Sequence, residues 1–317
     1  MMTSVRLKYR TRPKLLPIYA MGLLVRRRGL TAKRALPAMR SEWRGFRIDR
    51  RHLKRYLRIC RLAPSNTMPL AYPLVFAFPL HVSIVGHREF PLLYVRMMQV
   101  RNRVVQHRPV YLHETMDISC AIGGQRVLAK GLEMDIYTVL KVAGDPVWES
   151  IHTYFFPGNF GEPGLPSSLA KLPALSEKGV DKTWKMPSGG GFCFGLMTGD
   201  YNAIHYLGPY ARRMGFRRDF AHAQLSVALC IRNLPAFRQE EPVCLDVAIK
   251  GPVYYGSNVI MKYSDDEKGY RFDLYCDDNP RPCIQGSLGT AGNSADLLLF
   301  FRQRGLSLGP FVRRAKL

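Results

Sequence analysis

One short segment of the chain concentrates side chains that can transfer protons. It reads Thr198-Gly199-Asp200-Tyr201-Asn202-Ala203-Ile204-His205 and combines a carboxylate, an amide and an imidazole. Asp200 and His205 converge only if the segment bends, and Asn202 favours a bend through its side-chain hydrogen bonds. A converged pair can hold one water molecule and act as general acid and base. The alternative interpretation is a surface turn with an incidental histidine, because short motifs recur by chance.

A second motif, Ala221-His222-Ala223, follows a little further along the chain. The apolar spacing after it predicts a helix from about Ala223 to Asn233. The first N–H groups of a helix lack intrahelical partners, and the helix dipole is positive there. A negative oxygen at this point would therefore be stabilised. His222 by itself is expected to have a structural role at the helix start.

The surrounding pattern predicts two similar units of helix and strands. An amphipathic helix is expected between Phe46 and Arg61, and a buried apolar helix around Leu74–Val85. Alternating segments then predict antiparallel strands. These strands are Tyr94–Val100, Val110–Cys120, Arg126–Tyr137 and Val147–Phe155. After the polar motif come the helix predicted from Ala223 to Asn233 and four further strands. These strands are Val243–Ile249, Val259–Tyr263, Tyr270–Cys276 and one starting near Cys283. A sheet around a central helix, present twice, explains this order.

A Pro- and Gly-rich stretch separates the two predicted units. We therefore divide the chain into a basic N-terminal extension (1–45), a first unit (46–156), a linker (157–191) and a second unit (192–317). The stretch from Trp184 to Thr198 is interpreted as a strand-like approach to the polar motif.

The net charge of the 317-residue chain is +23, and it is unevenly distributed. Residues 1–65 contain nineteen Lys and Arg against two acidic residues, and so account for 17 of the 23 excess charges. Such a segment favours acidic or phosphate-bearing partners. Nucleic acid is disfavoured, because no stacking platform or recognised nucleic-acid fold accompanies the charge.

The cysteine pattern and the apolar runs indicate the compartment. Seven cysteines are scattered without a Cys-x-x-Cys pair, which is typical of free thiols in a reducing compartment and argues against a zinc site. The apolar run Leu15–Val25 is too short to cross a bilayer, where about 20 residues are needed. Prolines and a histidine interrupt the longer run Pro69–Gly86. We expect a cytoplasmic protein, with residence on the inner face of a membrane left open.

Three motifs of the second unit resemble the MaoC-like (R)-specific enoyl-thioester hydratases and dehydratases. They are Thr-Gly-Asp-Tyr-Asn-Ala-Ile-His at 198–205, Met214-Gly215-Phe216 and Ala221-His222-Ala223. The first unit is similar to the non-catalytic half of the two-hot-dog members through Leu70–His81, Val100–Arg103 and Gln106–Pro109. The resemblance covers roughly residues 46–300. It implies an α+β double hot-dog fold, in which two antiparallel sheets each wrap around a central helix, with a basic N-terminal extension.

The resemblance also implies a role for each motif residue. Asp200 and His205 would bind and activate a water molecule, with Gly199 and Asn202 supporting the loop. The backbone N–H of Ala223 would hold the thioester oxygen. The reaction would be reversible syn addition of water to a trans-2-enoyl thioester of coenzyme A or acyl carrier protein. No metal or other cofactor is implied.

The chain departs from the family pattern at three positions. Ala203 replaces the usual proline, which loosens the loop without removing a reacting group. Ala223 replaces the usual glycine and adds a methyl group beside the acyl path, while keeping its N–H. Gln224 replaces the usual methionine and adds a polar group there.

Two other functions share this fold. A hot-dog thioesterase generally has a carboxylate on the central helix, and residues 223–233 contain none. A catalytically silent protein that binds acyl groups or partners is compatible with Ala223 and Gln224. Candidate partners of residues 1–65 are the phosphates of coenzyme A, an acidic acyl carrier protein and an anionic membrane surface. A homodimer is left open, because two hot dogs in one chain already form a pair.

Overall fold

The computed structural model describes residues 4–30, 35–169, 175, 179–236, 242–277 and 279–291. The α-helices are α1 (Leu15–Leu24), α2 (Arg50–Cys60), α3 (Tyr72–Gly86), α4 (Gly190–Thr198), α5 (Gly208–Arg213) and α6 (Ala223–Asn233). The strands are β1 (Ser4–Tyr9), β2 (Ala38–Phe46), β3 (Met98–Gln106), β4 (Met116–Leu128), β5 (Gly131–Val142), β6 (Asp145–Pro157), β7 (Val180–Lys185), β8 (Val243–Ile249), β9 (Asn258–Asp266), β10 (Gly269–Cys276) and β11 (Ile284–Thr290). Short 3-10 helices occupy Tyr94–Arg96 and Ala203–His205.

Helix α3 is the central helix of the first half, and all fifteen of its residues are buried. A helix that is apolar on every side is stable only inside a core. Pro73 lies in its first turn, where a missing N–H leaves no hydrogen bond unmade. Helix α6 has the corresponding place in the second half, with every residue from Gln224 to Cys230 buried.

Within the described residues, eleven strands form one continuous sheet in the order β1-β2-β4-β5-β6-β3-β8-β11-β10-β9-β7. The first six strands belong to the first half and the last five to the second half. Antiparallel pairing of β3 with β8 joins them, and Arg101 on β3 donates to both carboxylate oxygens of Asp246 on β8 (2.8 and 2.7 Å). The predicted α+β double hot-dog fold is confirmed, but its two sheets are fused edge to edge.

The predicted N-terminal extension contributes to this sheet. The division expected at residue 45 falls inside β2, which pairs antiparallel with β4 and parallel with β1. On β1, half-buried Val5, Leu7 and Tyr9 alternate with exposed polar residues. This period-2 pattern was hidden in the sequence by the high density of basic residues. Helix α1 packs against α3, so the segment is attached to the core of the first half.

The segment predicted as a linker contains regular structure in its C-terminal part. Strand β7 pairs with β9 and forms one edge of the sheet. The stretch from Trp184 to Thr198 was predicted to be strand-like. It contains the end of β7 and then helix α4. Residues 170–174 and 176–178 of the predicted linker lie outside the described residues.

The remaining element predictions differ mainly in their bounds. The predicted strand from Tyr94 begins with a 3-10 helix, and β3 starts at Met98. Strand β4 starts at Met116, six residues later than expected, because the preceding stretch forms turns. Helix α6 and the strands predicted after it are confirmed.

Candidate active site

A series of hydrogen bonds between residues close in sequence shapes the loop between α4 and α5. The Thr198 hydroxyl accepts from the Asp200 N–H (3.1 Å), and Asp200 Oδ1 accepts from the Asn202 N–H (3.2 Å). Asn202 Oδ1 in turn accepts from the Ile204 N–H (3.3 Å). Each side-chain oxygen thus binds the N–H two residues further on, which is the hydrogen bond that Asx and Ser/Thr turns use. The alternating polar residues therefore bend the chain by themselves.

The bend brings Asp200 and His205 together. Asp200 Oδ2 lies 3.8 Å from His205 Nε2, which is too long for a direct hydrogen bond. Two atoms at this separation can both contact one oxygen at hydrogen-bond distance, at an angle of about 85°. The two side chains are 17% and 10% exposed, respectively. The geometry therefore provides a shared binding position for one water molecule.

Hydrogen bonding fixes the tautomer of His205. Its Nδ1 lies 2.9 Å from the carbonyl oxygen of Phe220, which can only accept. Nδ1 therefore carries the hydrogen, and Nε2 presents a lone pair toward Asp200. Burial lowers the pKa of His205, so the imidazole is neutral near pH 7. Burial also raises the pKa of Asp200, partly opposed by its attraction to His205 and its hydrogen bond from Asn202.

His222 lies behind this pair as a buried support. Its ring stacks on His205 with 3.8 Å between centroids, and its Nε2 is 3.4 Å from the carbonyl oxygen of Asp200. Burial keeps the pKa of His222 well below its usual value. The side chain is fully buried and contributes no surface to the adjacent cavity.

Two glycines of α4, Gly191 and Gly195, lie four residues apart and form the surface on which the loop lies. A β-carbon at Gly191 would come within 1.8 Å of the His205 carbonyl oxygen, and one at Gly195 within 2.6 Å of the Asp200 carbonyl oxygen. At Gly199 the φ angle is +85° and Leu15 occupies the space of a side chain. Sequence reasoning missed this role because it assigned Gly191 to linker chemistry. The available signal was the spacing of four residues between these glycines, which places them on one face of a helix.

The loop opens onto a cavity of about 570 Å³. Asp200, His205 and Ala223 all line it, as do Gln224 and residues of both halves. The first half contributes apolar side chains that include Phe78, Val82, Tyr94 and Met97. The second half contributes Phe216, Phe220, Val253 and Ile284 among others. Small-molecule sites have this size and this mostly apolar lining with few polar groups.

Ala223 is the first residue of α6, as the sequence predicted. Its N–H is one of the helix-terminal donors that no carbonyl of the same helix can accept from. The cavity is present with the Ala223 and Gln224 side chains in its wall, so neither departure from the family pattern closes it. The N-terminus of α6, Asp200 and His205 thus border the same space.

Asp200, His205 and His222 also form the one cluster among the described residues with metal-binding geometry. One potential ligand atom of each lies within 4.8 Å of the others. Two imidazoles and a carboxylate would suit zinc or iron. The Nε2 of His222, however, is directed at the Asp200 carbonyl oxygen, and His205 Nδ1 is bound to Phe220.

Comparison with known proteins relates the chain to one group of enzymes. No family model matches the sequence. A curated relative, 3-hydroxyacyl-thioester dehydratase X of Mycobacterium tuberculosis, is 24% identical over 231 residues, which are 72% of this chain and 80% of the relative.

Solved structures share the fold. The crystal structure of HtdX from Mycobacterium tuberculosis has a TM-score of 0.68 at 20% identity, covering 80% of this chain and all of HtdX. A MaoC-like dehydratase from Phytophthora capsici has a TM-score of 0.64 at 13% identity, covering 84% of this chain and 98% of that protein. The full-length peroxisomal multifunctional enzyme type 2 of Drosophila melanogaster has a TM-score of 0.62 at 12% identity, covering 80% and 48% of the two chains. The chain therefore shares the fold of these MaoC-like dehydratases and is similar in sequence to a 3-hydroxyacyl-thioester dehydratase.

Proposed function

We propose that the protein catalyses the reversible hydration of trans-2-enoyl thioesters to (R)-3-hydroxyacyl thioesters in fatty-acid or related lipid metabolism. The observation that carries the proposal is the 3.8 Å separation of Asp200 Oδ2 and His205 Nε2 in the wall of an apolar cavity that Ala223 also lines. The relative named a 3-hydroxyacyl-thioester dehydratase supports the same reaction type.

In the proposed mechanism, Asp200 and His205 hold the reacting water between them. Both present lone pairs, so the water donates one hydrogen to each and directs its own oxygen at C3 of the substrate. One of the two bases takes a proton as the C3–O bond forms. That proton is then returned to C2, so the elements of one water are added across the double bond. Delivery from one site to one face gives syn addition.

The thioester oxygen carries the negative charge that develops during this addition. We assign its binding to the Ala223 N–H at the N-terminus of α6, where the helix dipole adds positive potential. Because the donor belongs to a buried helix, it needs no reorganisation when the charge appears. Gly199 and Asn202 support the reacting loop, and His222 is structural.

The carrier of the acyl group is either coenzyme A or acyl carrier protein. Many basic side chains among residues 1–65 are exposed, and they include Lys8, Arg10, Lys14, Arg50, Arg51 and Arg55. They would attract the phosphates of coenzyme A, an acidic carrier protein or an anionic membrane. Comparing kcat/KM for both carriers at low and high salt tests the first two, since only electrostatic attraction weakens steeply with salt. Co-sedimentation with anionic liposomes tests the third.

One structural observation bears on location, and the state of assembly requires its own measurement. None of the helices in the described residues is long and apolar enough to cross a membrane. Self-association into a homodimer is measured directly by sedimentation equilibrium, and a monomer at micromolar concentration would contradict it.

Asp200→Asn tests the proposed reaction. The substitution keeps the shape of the side chain and removes its basicity, so we expect kcat to fall by about 10³-fold. The measurement is the loss of enoyl-thioester ultraviolet absorbance. In the wild type, kcat/KM should rise with pH and then level off, because Asp200 must be ionised and His205 neutral; burial raises the pKa of Asp200 and lowers the pKa of His205. Activity should survive a chelator.

Other outcomes identify the alternatives. Equal rates for the wild type and Asp200→Asn would remove Asp200 from the mechanism. Release of free thiol without loss of the double bond would identify a thioesterase. A wild type that binds acyl thioesters without converting them would be a silent binding protein.

A further inference from the structure

The N-terminal segment reaches the three carbonyl groups that directly precede Asp200. Arg12 Nη2 donates to the carbonyl oxygens of Met197 (2.7 Å) and Thr198 (2.9 Å). The Tyr19 hydroxyl donates to the carbonyl oxygen of Gly199 (2.9 Å). Every backbone acceptor from 197 to 199 is therefore bound by a side chain from a segment about 180 residues earlier in sequence.

Helix α4 itself has no N–H groups available for these carbonyl oxygens. The last carbonyls of a helix have no intrahelical donor, and α4 ends at Thr198. A guanidinium at a helix C-terminus also interacts favourably with the negative end of the helix dipole. Arg12 thus stabilises the end of α4, from which the reacting loop departs.

Leu15 and Tyr19 complete the contact. Leu15 is buried and lies against Gly199, where its Cδ1 occupies the position of a β-carbon, and Gly199 has a φ of +85°. The ring of Tyr19 lies between Tyr94 (5.2 Å between centroids) and Tyr201 (5.5 Å). Helix α1 therefore touches the residues on both sides of Asp200.

The first half of the molecule anchors the other side of α1. Ile18 lies so close to Gly86 at the end of α3 that a β-carbon there would be 2.4 Å from it. Tyr94 donates its hydroxyl to the carbonyl oxygen of Tyr19 (3.2 Å). Tyr19 and Leu16 also line the cavity. Helix α1 thus connects the core of the first half to the loop of the second half.

We propose that Arg12 and Tyr19 are positioning residues that hold the Asp200 loop against the cavity. The proposal rests on the proposed hydratase function. Neither side chain touches the reacting atoms. They act by fixing the backbone of residues 197–199, and through it the separation of Asp200 and His205. The segment that the sequence marked as a detached basic extension would then be part of the active site.

Point variants of the full chain, assayed for enoyl-thioester hydration, test the proposal. Tyr19→Phe removes one neutral hydrogen bond and keeps the ring, so kcat should fall about 2- to 10-fold. Arg12→Ala removes two charge-assisted hydrogen bonds, and kcat should fall about 10- to 100-fold, with partial recovery in Arg12→Lys. KM should change less than kcat. The matched control is Lys130→Ala, which removes one positive charge from an exposed position outside residues 1–65.

The pH profile separates positioning from mere loss of folding. Burial raises the pKa of Asp200 and lowers the pKa of His205, so a loosened loop that admits water should shift the acid limb of kcat/KM in both variants. A smaller folded fraction would lower the rate without moving that limb. Unchanged kcat and an unchanged acid limb in both variants would overturn the proposal, and so would an equal fall in kcat in Lys130→Ala. If those results accompany an active wild type that Asp200→Asn disables, only the positioning role fails; an inactive wild type overturns both proposals.

Discussion

Each half of the molecule contains a pair of buried histidines in contact, and the two pairs differ in their partners. In the first half, His81 and His152 have ring centroids 4.5 Å apart. His81 is bound to the hydroxyls of Tyr154 (2.8 Å) and Thr138 (2.9 Å), and His152 to that of Ser150 (3.3 Å). In the second half, His205 stacks on His222 and faces the carboxylate of Asp200. Burial lowers the pKa of all four imidazoles.

The comparison indicates what distinguishes the histidine pair of the first half from the pair that we propose to be reactive. Burial and ring contact are common to both pairs and so cannot define the site. Next to the second pair lies a carboxylate close enough to share a water molecule. The loop that bears His205 also packs on glycines of α4, and His205 lines the cavity. The first half instead supplies apolar cavity wall, to which Tyr154 adds its side chain.

The sharpest way to break this comparison is to make the same substitution in both halves. His205→Gln removes the lone pair directed at the reacting water, and we expect kcat to fall by about 10³-fold. His152→Gln should instead lower the free energy of unfolding by about 1–3 kcal/mol through lost buried contacts, with kcat of the folded protein within about threefold. Steady-state kinetics and denaturant titration measure the two effects. A large fall in kcat for His152→Gln would give the first half a role in the chemistry.

Gly191→Ala tests the close approach of helix α4 to the loop that bears His205. The new β-carbon would lie 1.8 Å from the His205 carbonyl oxygen, so the backbone must move. We expect a loss of about 1–3 kcal/mol of stability and a fall in kcat of up to about 10²-fold from displacement of His205.

The neighbouring Gly190→Ala is the control for this prediction. Its β-carbon would meet only the Tyr255 ring at 3.6 Å, an ordinary contact. Alanine is also the better helix former, so stability should be unchanged or rise by about 0.4–1 kcal/mol. Equal activity in Gly191→Ala and Gly190→Ala would show that the loop does not depend on close approach to α4.

The smallest expected effect is a pH dependence of stability from the first pair. Burial lowers the pKa of His152 to about 3, so between that pH and its unfolded pKa of about 6.5 the unfolded chain binds one proton more. Stability is therefore lost as pH falls below about 6.5, by up to about 1.4 kcal/mol per pH unit for this residue. Denaturant titrations at pH 7, 6 and 5 should show a shallower decline in His152→Gln. An unchanged slope would mean that the pKa of His152 is the same in the folded and the unfolded protein.

Much of the reacting loop was predictable because its shape is local. Oxygen-bearing side chains at 198, 200 and 202 bind N–H groups two residues ahead, so the bend that joins Asp200 to His205 is written in eight consecutive residues. Helix α6 and the strands after it were predictable for a similar reason. Their apolar periodicity is strong, and little else competes with it.

The errors arose where local composition and long-range packing disagreed. Gly190 and Gly191 are typical of loops, but they begin helix α4, and Gly191 lies against the His205 backbone, where a β-carbon would not fit. The basic residues of β1 hid a half-buried alternation that becomes a strand only beside β2. The fusion of the two sheets depends on pairing between β3 and β8, about 140 residues apart, which no local pattern encodes.

By itself, the sequence determined the family resemblance, the repeated helix-and-sheet plan and the identity of the candidate reacting groups, since each follows from motifs or periodicity within short segments. Only the tertiary structure decided that the Asp200 loop is held from both sides. Gly191 and Gly195 of α4 lie against it on one side, and Arg12 and Tyr19 bind the carbonyl groups that precede it. The physical reason is that the end of a helix leaves carbonyl groups without donors, and the chain satisfied them with side chains that are distant in sequence and adjacent only after folding.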